Sequence, residues 1–292
     1  MGTSKSSSGS PSSVPIVPPW VSQNLSNPNN ASSDASAPKA GQWPFEQPLI
    51  PGAYPPLNPK LNTPSPIAPE GRFRAARSQL GRFARSGDSE YLKRGVGGYT
   101  KSGLGGKKQA IRRFAGTAHT AGALYGALSL LSSTPSGQQG QLLDRMVLAG
   151  KSAEDVISAI VDATRPMDGT QDAESNRASL NDALVELLEA QPEADLFNLT
   201  DLQKELVIER FIACDIFRRF ILDVGNAIRS KASSATIAAS RLKEVKDYVR
   251  EVVSASFRKL KESGKTLGQA NVVTIVRSLL EDSFGVFEEY IK

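Results

Sequence analysis

Leu206-Val207-Ile208-Glu209-Arg210-Phe211-Ile212-Ala213-Cys214-Asp215-Ile216-Phe217-Arg218-Arg219-Phe220-Ile221-Leu222-Asp223-Val224 is the stretch that decides the fold class. Val207, Ile208, Phe211, Ile212, Phe217, Phe220 and Ile221 return every three or four positions. That is a helical period, not the two-residue alternation of a half-buried strand. The apolar residues cover a wide arc, so this helix must be packed on several sides. A body has to surround it.

The neighbouring segments supply that body. Helices are expected over about 138–149, 153–164, 172–190, 200–230, 235–263 and 269–291, punctuated by Gly150, Pro166, Pro192 and Gly264. Ser152-x-x-Asp155, Thr200-x-x-Gln203 and Thr266-x-x-Gln269 read as helix starts, the last two as capping boxes. In the fifth of these segments Leu242, Val245, Val249, Val252, Ser256 and Leu260 form a drifting stripe. Upstream, about 109–132 is rich in small residues, with Gly122-x-x-x-Gly126 as a close-packing motif. It is short for a membrane span and lacks a strong Leu/Ile/Val run, so no membrane insertion is expected. Phe73, Ala76, Leu80 and Phe83 start a further helix near Gly71, ending at Ser86-Gly87. No strand pattern competes. The fold is expected to be all-α, a bundle-like helical body.

Residues 1–70 differ in kind. Fifteen of the eighteen prolines fall there, among many Ser and Asn. Proline fixes φ and removes a donor, so the segment favours extended geometry, and its low apolar content cannot offset ordering entropy. It reads as a Pro/Ser-rich, largely extended tail, with 71–292 as the helical body. Trp20, Trp43, Phe45, Leu49-Ile50 and Tyr54 are set among the prolines. Two readings stand for them: incidental residues of a linker, or anchors of a strap that lies on a partner or on its own body.

Charge divides the body. From Arg72 to Arg113 there are twelve Lys/Arg against Asp88 and Glu90, about +10, within a net charge of +5. The tail is neutral, so 114–292 sums to about −5. The sequence thus has a basic neck, 71–113, ahead of an acidic helical core, 114–292. Arg72, Arg74, Arg77, Arg82, Lys107, Lys108, Arg112 and Arg113 are candidates to contact nucleic-acid phosphates or an acidic partner surface. Phe73, Phe83, Tyr99 and Phe114 are interleaved with them. Nothing in the pattern specifies bases.

Reactive groups are sparse. Cys214 is the one cysteine, so no internal disulfide forms and a reducing, cytoplasmic setting is expected. No secretory signal is evident. His119 is the one histidine and reads as a packed core residue; a lone His makes neither a metal site nor a triad. Gly95-Val96-Gly97-Gly98 and Gly103-Leu104-Gly105-Gly106 match neither a dinucleotide loop nor a Walker loop and read as a flexible connector. Ser240–Lys243 and Ser256–Lys259 lack the companion motifs of Ser-Lys acyl enzymes. No enzyme activity, metal or cofactor is expected.

The N-terminus is the exception. Removal of Met1 exposes the amine of Gly2, which is unhindered beside Thr3 and Ser4. A free α-amino group titrates near ~8, so part of it is nucleophilic at neutral pH. Met1-Gly2-x-x-x-Ser6 also fits the N-myristoylation pattern, which would make a membrane-anchored adaptor, and an inert clipped terminus is the third reading.

Met1-Gly2-Thr3-Ser4, Val14-Pro15-Ile16-Val17-Pro18-Pro19-Trp20, Arg72-Phe73-Arg74, Leu80-Gly81-Arg82-Phe83 and Gly103-Leu104-Gly105-Gly106 together resemble the QatB component of the four-gene Qat anti-phage defence system of bacteria. The resemblance runs from the N-terminus through the small-residue helix. It implies three partners: an ATPase (QatA-like), a QueC-like deazaguanine-forming enzyme (QatC-like) and a TatD-like nuclease (QatD-like). It further implies a non-enzymatic defence component, with Gly2 the site of deazaguanine attachment. Thr3, Ser4, Trp20, Trp43 and Phe45 would then be recognised by the modifying enzyme.

Overall fold

The computed structural model describes residues 71–133, 143 and 145–291, all within one compact unit, Ser65–Lys292. The first two helices, α1 (Arg74–Ser86) and α2 (Ser89–Gly98), form a tight pair. Gly87 makes the turn at φ 74°, and its N–H closes on Phe83 O. Asp88 caps α2 by accepting from Glu90 N. The glycine stretch is not a flexible connector. It completes α2 and continues as a π-helical segment, Tyr99–Gly103, with Gly95, Gly97 and Gly98 buried. The reason is close approach. A Cβ on Gly95 would stand 2.7 Å from Leu80 Cδ2, and one on Gly97 2.7 Å from the Phe287 carbonyl. The glycines let α2 press against α1 and against the last helix of the chain.

After Gly106 come α3 (Lys107–Arg113) and α4 (Ala115–Ser133), where the sequence suggests one continuous helix. Phe114 breaks it, at φ −94° and ψ 14°, with its ring buried. On α4 a Cβ at Gly122 would lie 2.7 Å from Val273 Cγ2, whereas Gly126 has no atom nearer than 4.0 Å. Only the first glycine of the small-residue motif serves close packing. No helix among the described residues is long and apolar enough to cross a membrane.

The remaining helices are α5 (Arg145–Leu148), α6 (Ala153–Thr164), α7 (Gln171–Ala190), α8 (Asp201–Arg229), α9 (Ala235–Glu262) and α10 (Val272–Glu289). The described residues are all-α, as the periodicity predicts. The expected helix over 138–149 falls largely outside the described residues; only α5 is seen. Ser152 caps α6, and Thr200 with Gln203 forms the full capping box of α8. Thr266 starts no helix. The turn Thr266–Asn271 closes through Asn271, which accepts from Gly268 N at 2.8 Å and donates to the Thr266 carbonyl at 3.2 Å, so α10 begins six residues later.

The α8 helix is central. It packs on α1, α4, α7 and α9. Val207, Ile208, Phe211 and Ile212 are buried on one arc, and Phe220, Val224 and Ile228 continue the burial. The core also takes in Phe73, Leu80, Phe83, Tyr99 and Phe114, so residues 73–114 share it with the later helices. At its heart is a buried polar node. Asp215, with no exposed surface, accepts from Thr117 Oγ1 at 2.6 Å, Arg219 Nε at 3.1 Å and Ser175 Oγ at 3.3 Å. With its nitrogen turned toward the carboxylate, the Asn176 amide adds donors at 2.9 and 3.3 Å. Burial raises the Asp215 pKa, and the Arg219 charge is the chief counterweight. The node ties α4, α7 and α8 together.

Candidate partner-binding surface

Gly2, Thr3, Ser4, Trp20, Trp43 and Phe45 lie outside the described residues, so the basic candidates carry the geometry. Arg72 sits 4.5 Å from the Phe73 ring centroid. Arg77 Nη2 donates to the Asp223 carbonyl at 2.9 Å, pinning α1 to α8. Arg82 lies over the Tyr91 ring at 5.8 Å. Lys107 is drawn to α10: its Nζ is 3.4 Å from Glu281, and its backbone N–H donates to Glu288 at 2.5 Å. Lys108, Arg112 and Arg113 are exposed.

These side chains do not form one patch. Arg72 and Arg113 meet in a cleft of about 260 Å³ with Tyr99, Asp172, Arg219 and Asp223. Arg74 and Arg77 line a second, of about 620 Å³, between α1 and the end of α8, joined by Arg85, Asn226 and Lys231. Arg82, Lys107, Lys108 and Arg112 line neither. A third cavity of about 410 Å³ lies between α7 and α8, lined by Ala178, Cys214, Phe217 and Ile221, with Lys246 reaching in from α9. All three share one residue, Leu222, which is 55 % exposed. Sequence reasoning missed Leu222, Arg85, Asp223 and Lys231. The signal available was the outer face of α8, where Leu222 breaks the exposed polar row; it reads as one more apolar residue of a broad arc until α1 is seen alongside.

Among the described residues, each of the two basic clefts is lined by more cations than carboxylates. Their carboxylates are Asp172 and Asp223. Asp172 accepts from Arg219 at 3.3 Å, and Asp223 accepts from the Tyr99 hydroxyl at 3.0 Å. Burial raises the pKa of both Asp223 and Tyr99, their shared hydrogen bond acting against this at Asp223. Arg72, Arg74, Arg77, Arg85, Arg113 and Lys231 have no ion pair among the described residues. The aromatic rings interleaved with these cations point inward: Phe73, Phe83, Tyr99 and Phe114 are all buried. They are not available to stack on bases.

The two lone reactive residues differ from each other. Cys214 is buried as expected, and desolvation pushes its thiol up to about 11. His119 is a correction: it is exposed, its Nε2 lying 3.0 Å from Arg277 Nη2, because Thr117, Ala118, Thr120 and Ala121 take the inner face of α4. Among the described residues no group of three or more His, Cys, Asp or Glu could hold a metal ion.

Comparison with known proteins gives one match. A family model described as QatB, Qat anti-phage system associated protein, matches residues 105–287, well over half of the 292-residue chain. The match runs from α3 into α10, C-terminal to most of the motifs on which the sequence resemblance rests. A search of curated proteins and one of solved structures found no match.

Proposed function

The chain belongs to the QatB family and is therefore a component of an anti-phage defence system, and on that premise we propose that it is a protein substrate and adaptor rather than an enzyme. The observation that carries this reading is Gly2, directly after Met1, at the tip of about 70 residues holding fifteen prolines. About 20 residues at polyproline spacing reach ~60 Å, enough to enter a partner's active site. With hydrogen in place of a side chain on the Gly2 Cα, the amine can approach a carbonyl in a deep pocket. Thr3 and Ser4 add little bulk behind it.

The chemistry belongs to the QueC-like partner. ATP and a carboxy-deazaguanine give an acyl adenylate and pyrophosphate. The Gly2 nitrogen then attacks the acyl carbon. A C–N bond forms, the C–O bond to AMP breaks, AMP leaves, and the nitrogen's extra proton passes to solvent. The product is an amide-linked deazaguanine. The helical body serves as the adaptor for the ATPase or the nuclease of the same system. The unpaired cations of 72–113 support a second reading, charge-led nucleic-acid binding, which predicts association that collapses with salt.

Intact-mass analysis of the chain co-expressed with the QueC-like enzyme tests the first reading. The expected result is loss of Met1 and one deazaguanine amide on Gly2, located by fragmentation. An unmodified mass from cells that resist phage would overturn it.

A further inference from the structure

The three cavities that meet at Leu222 have complementary characters. The one between α7 and α8 has an apolar wall of Ala178, Cys214, Phe217 and Ile221 that suits a large apolar side chain, with Glu174, Lys246 and the Asp182–Arg218 pair also lining it. The two on the α1 side carry Arg72, Arg113, Arg74, Arg77, Arg85 and Lys231. An apolar centre beside an Arg-rich rim is the anatomy of a protein interface. Arg74 and Arg77 are three residues apart on one helix face, where like charges repel. Among the described residues one carboxylate, Asp223, lines their cleft, and its charge is shared with Arg72, Arg113 and Arg219.

We propose that this groove docks an acidic segment of a partner protein, which seats a large apolar side chain against Leu222, Phe217 and Ile221 and places carboxylates on Arg72, Arg74, Arg85, Arg113 and Lys231. The proposal rests on the body acting as an adaptor, and is independent of what happens at Gly2. Charge complementarity selects the occupant. Residues 1–70 carry as many acids as bases, so they do not supply the missing charge. Nucleic acid would use the cations, but it would leave the apolar cavity empty and finds the neighbouring aromatic rings buried.

Photo-crosslinking in cells expressing the complete defence system tests this. A crosslinking phenylalanine analogue replaces Leu222, with the 75 %-exposed Met167 as the control position. The expected result is a crosslink from position 222, and not from 167, to a segment of another protein with net negative charge. Its yield should fall about tenfold in an Arg74→Glu, Arg85→Glu background, the scale of two lost interfacial charge contacts. Circular dichroism confirms that both exposed replacements leave the fold intact. A crosslink to nucleic acid, to a second copy of this chain, to a neutral or basic segment, or no excess over position 167, each overturns the proposal. Intact mass from the same cells reports on Gly2 separately. A modified Gly2 without an acidic crosslink sinks the groove alone; an unmodified Gly2 with one sinks the substrate reading alone.

Discussion

Residues 72–113 and the helices that follow share one hydrophobic core but manage charge in opposite ways. In the first region only Lys93 and Lys107 form an ion pair with a carboxylate among the described residues. In the second, many cations are satisfied internally: Arg177 by Asp162, Arg218 by Asp182, Arg219 by Asp215 and Asp172, Lys246 and Arg250 both by Glu186. The apolar packing of the two regions is alike; Phe83 and Leu80 are as buried as Phe211 and Ile208. The difference separates two uses of charge. Paired cations hold helices in register. Of the cations on α1, Arg77 is held by the Asp223 carbonyl and Arg82 lies over the Tyr91 ring, while Arg74 and Arg85 make no ion pair among the described residues and can meet something else.

That contrast can be broken by measurement. The largest effect is expected at the buried node. Asp215→Ala takes the acceptor from Arg219 Nε, Thr117 and Ser175 in the interior and should cost about 3–5 kcal/mol in denaturant unfolding, while Asp215→Asn keeps an acceptor and should cost less. A loss under ~1 kcal/mol would mean the node holds nothing. Next comes Cys214, in the same interior. With its thiol pushed from 9.0 to about 11, the thiolate fraction at pH 8 is about a hundredfold lower than for a free thiol, and alkylation should slow accordingly. Between those values the unfolded chain releases this proton before the folded one. Stability from this group is therefore complete below pH 9.0 and is lost as pH rises toward about 11. A normal alkylation rate in the folded protein would show that α8 opens readily.

Smaller effects sharpen the comparison itself. Gly97→Ala drives a methyl group against the Phe287 carbonyl and should cost about 1–3 kcal/mol; a neutral result would restore the flexible-connector reading of the glycine stretch. Glu186→Ala removes the partner of both Lys246 and Arg250 and should cost about 1–2 kcal/mol, between an exposed and a buried pair. Arg74→Ala and Arg85→Ala should each stay within about 0.5 kcal/mol. Equal losses at Glu186 and Arg74 would erase the distinction.

The sequence makes the helices legible because burial imprints a 3.6-residue period, and α6 begins and ends at the expected residues. Caps are readable where one side chain does the work, as at Thr200, and misleading where a turn intervenes, as at Thr266. Glycine is ambiguous by nature. The same residue that loosens a chain also admits close packing, and only the position of Leu80 and the Phe287 carbonyl tells which applies. The side of α4 that carries His119 is ambiguous in sequence, because its small neighbours do not reveal which side faces inward. The surplus of cations was plain from composition. Its division into two clefts around Leu222 was not, since it depends on α1 lying along α8, a contact more than a hundred residues apart in the chain.

The central claim is that the cations around Leu222 serve a partner and not the fold. It is tested most directly by replacing Arg74, Arg85 and Lys231 together with Gln, then measuring denaturant stability and phage protection on the same variant. The account predicts stability within about 1 kcal/mol of the parent and protection lost. Full protection, or a stability loss as large as that of Glu186→Ala, would contradict it.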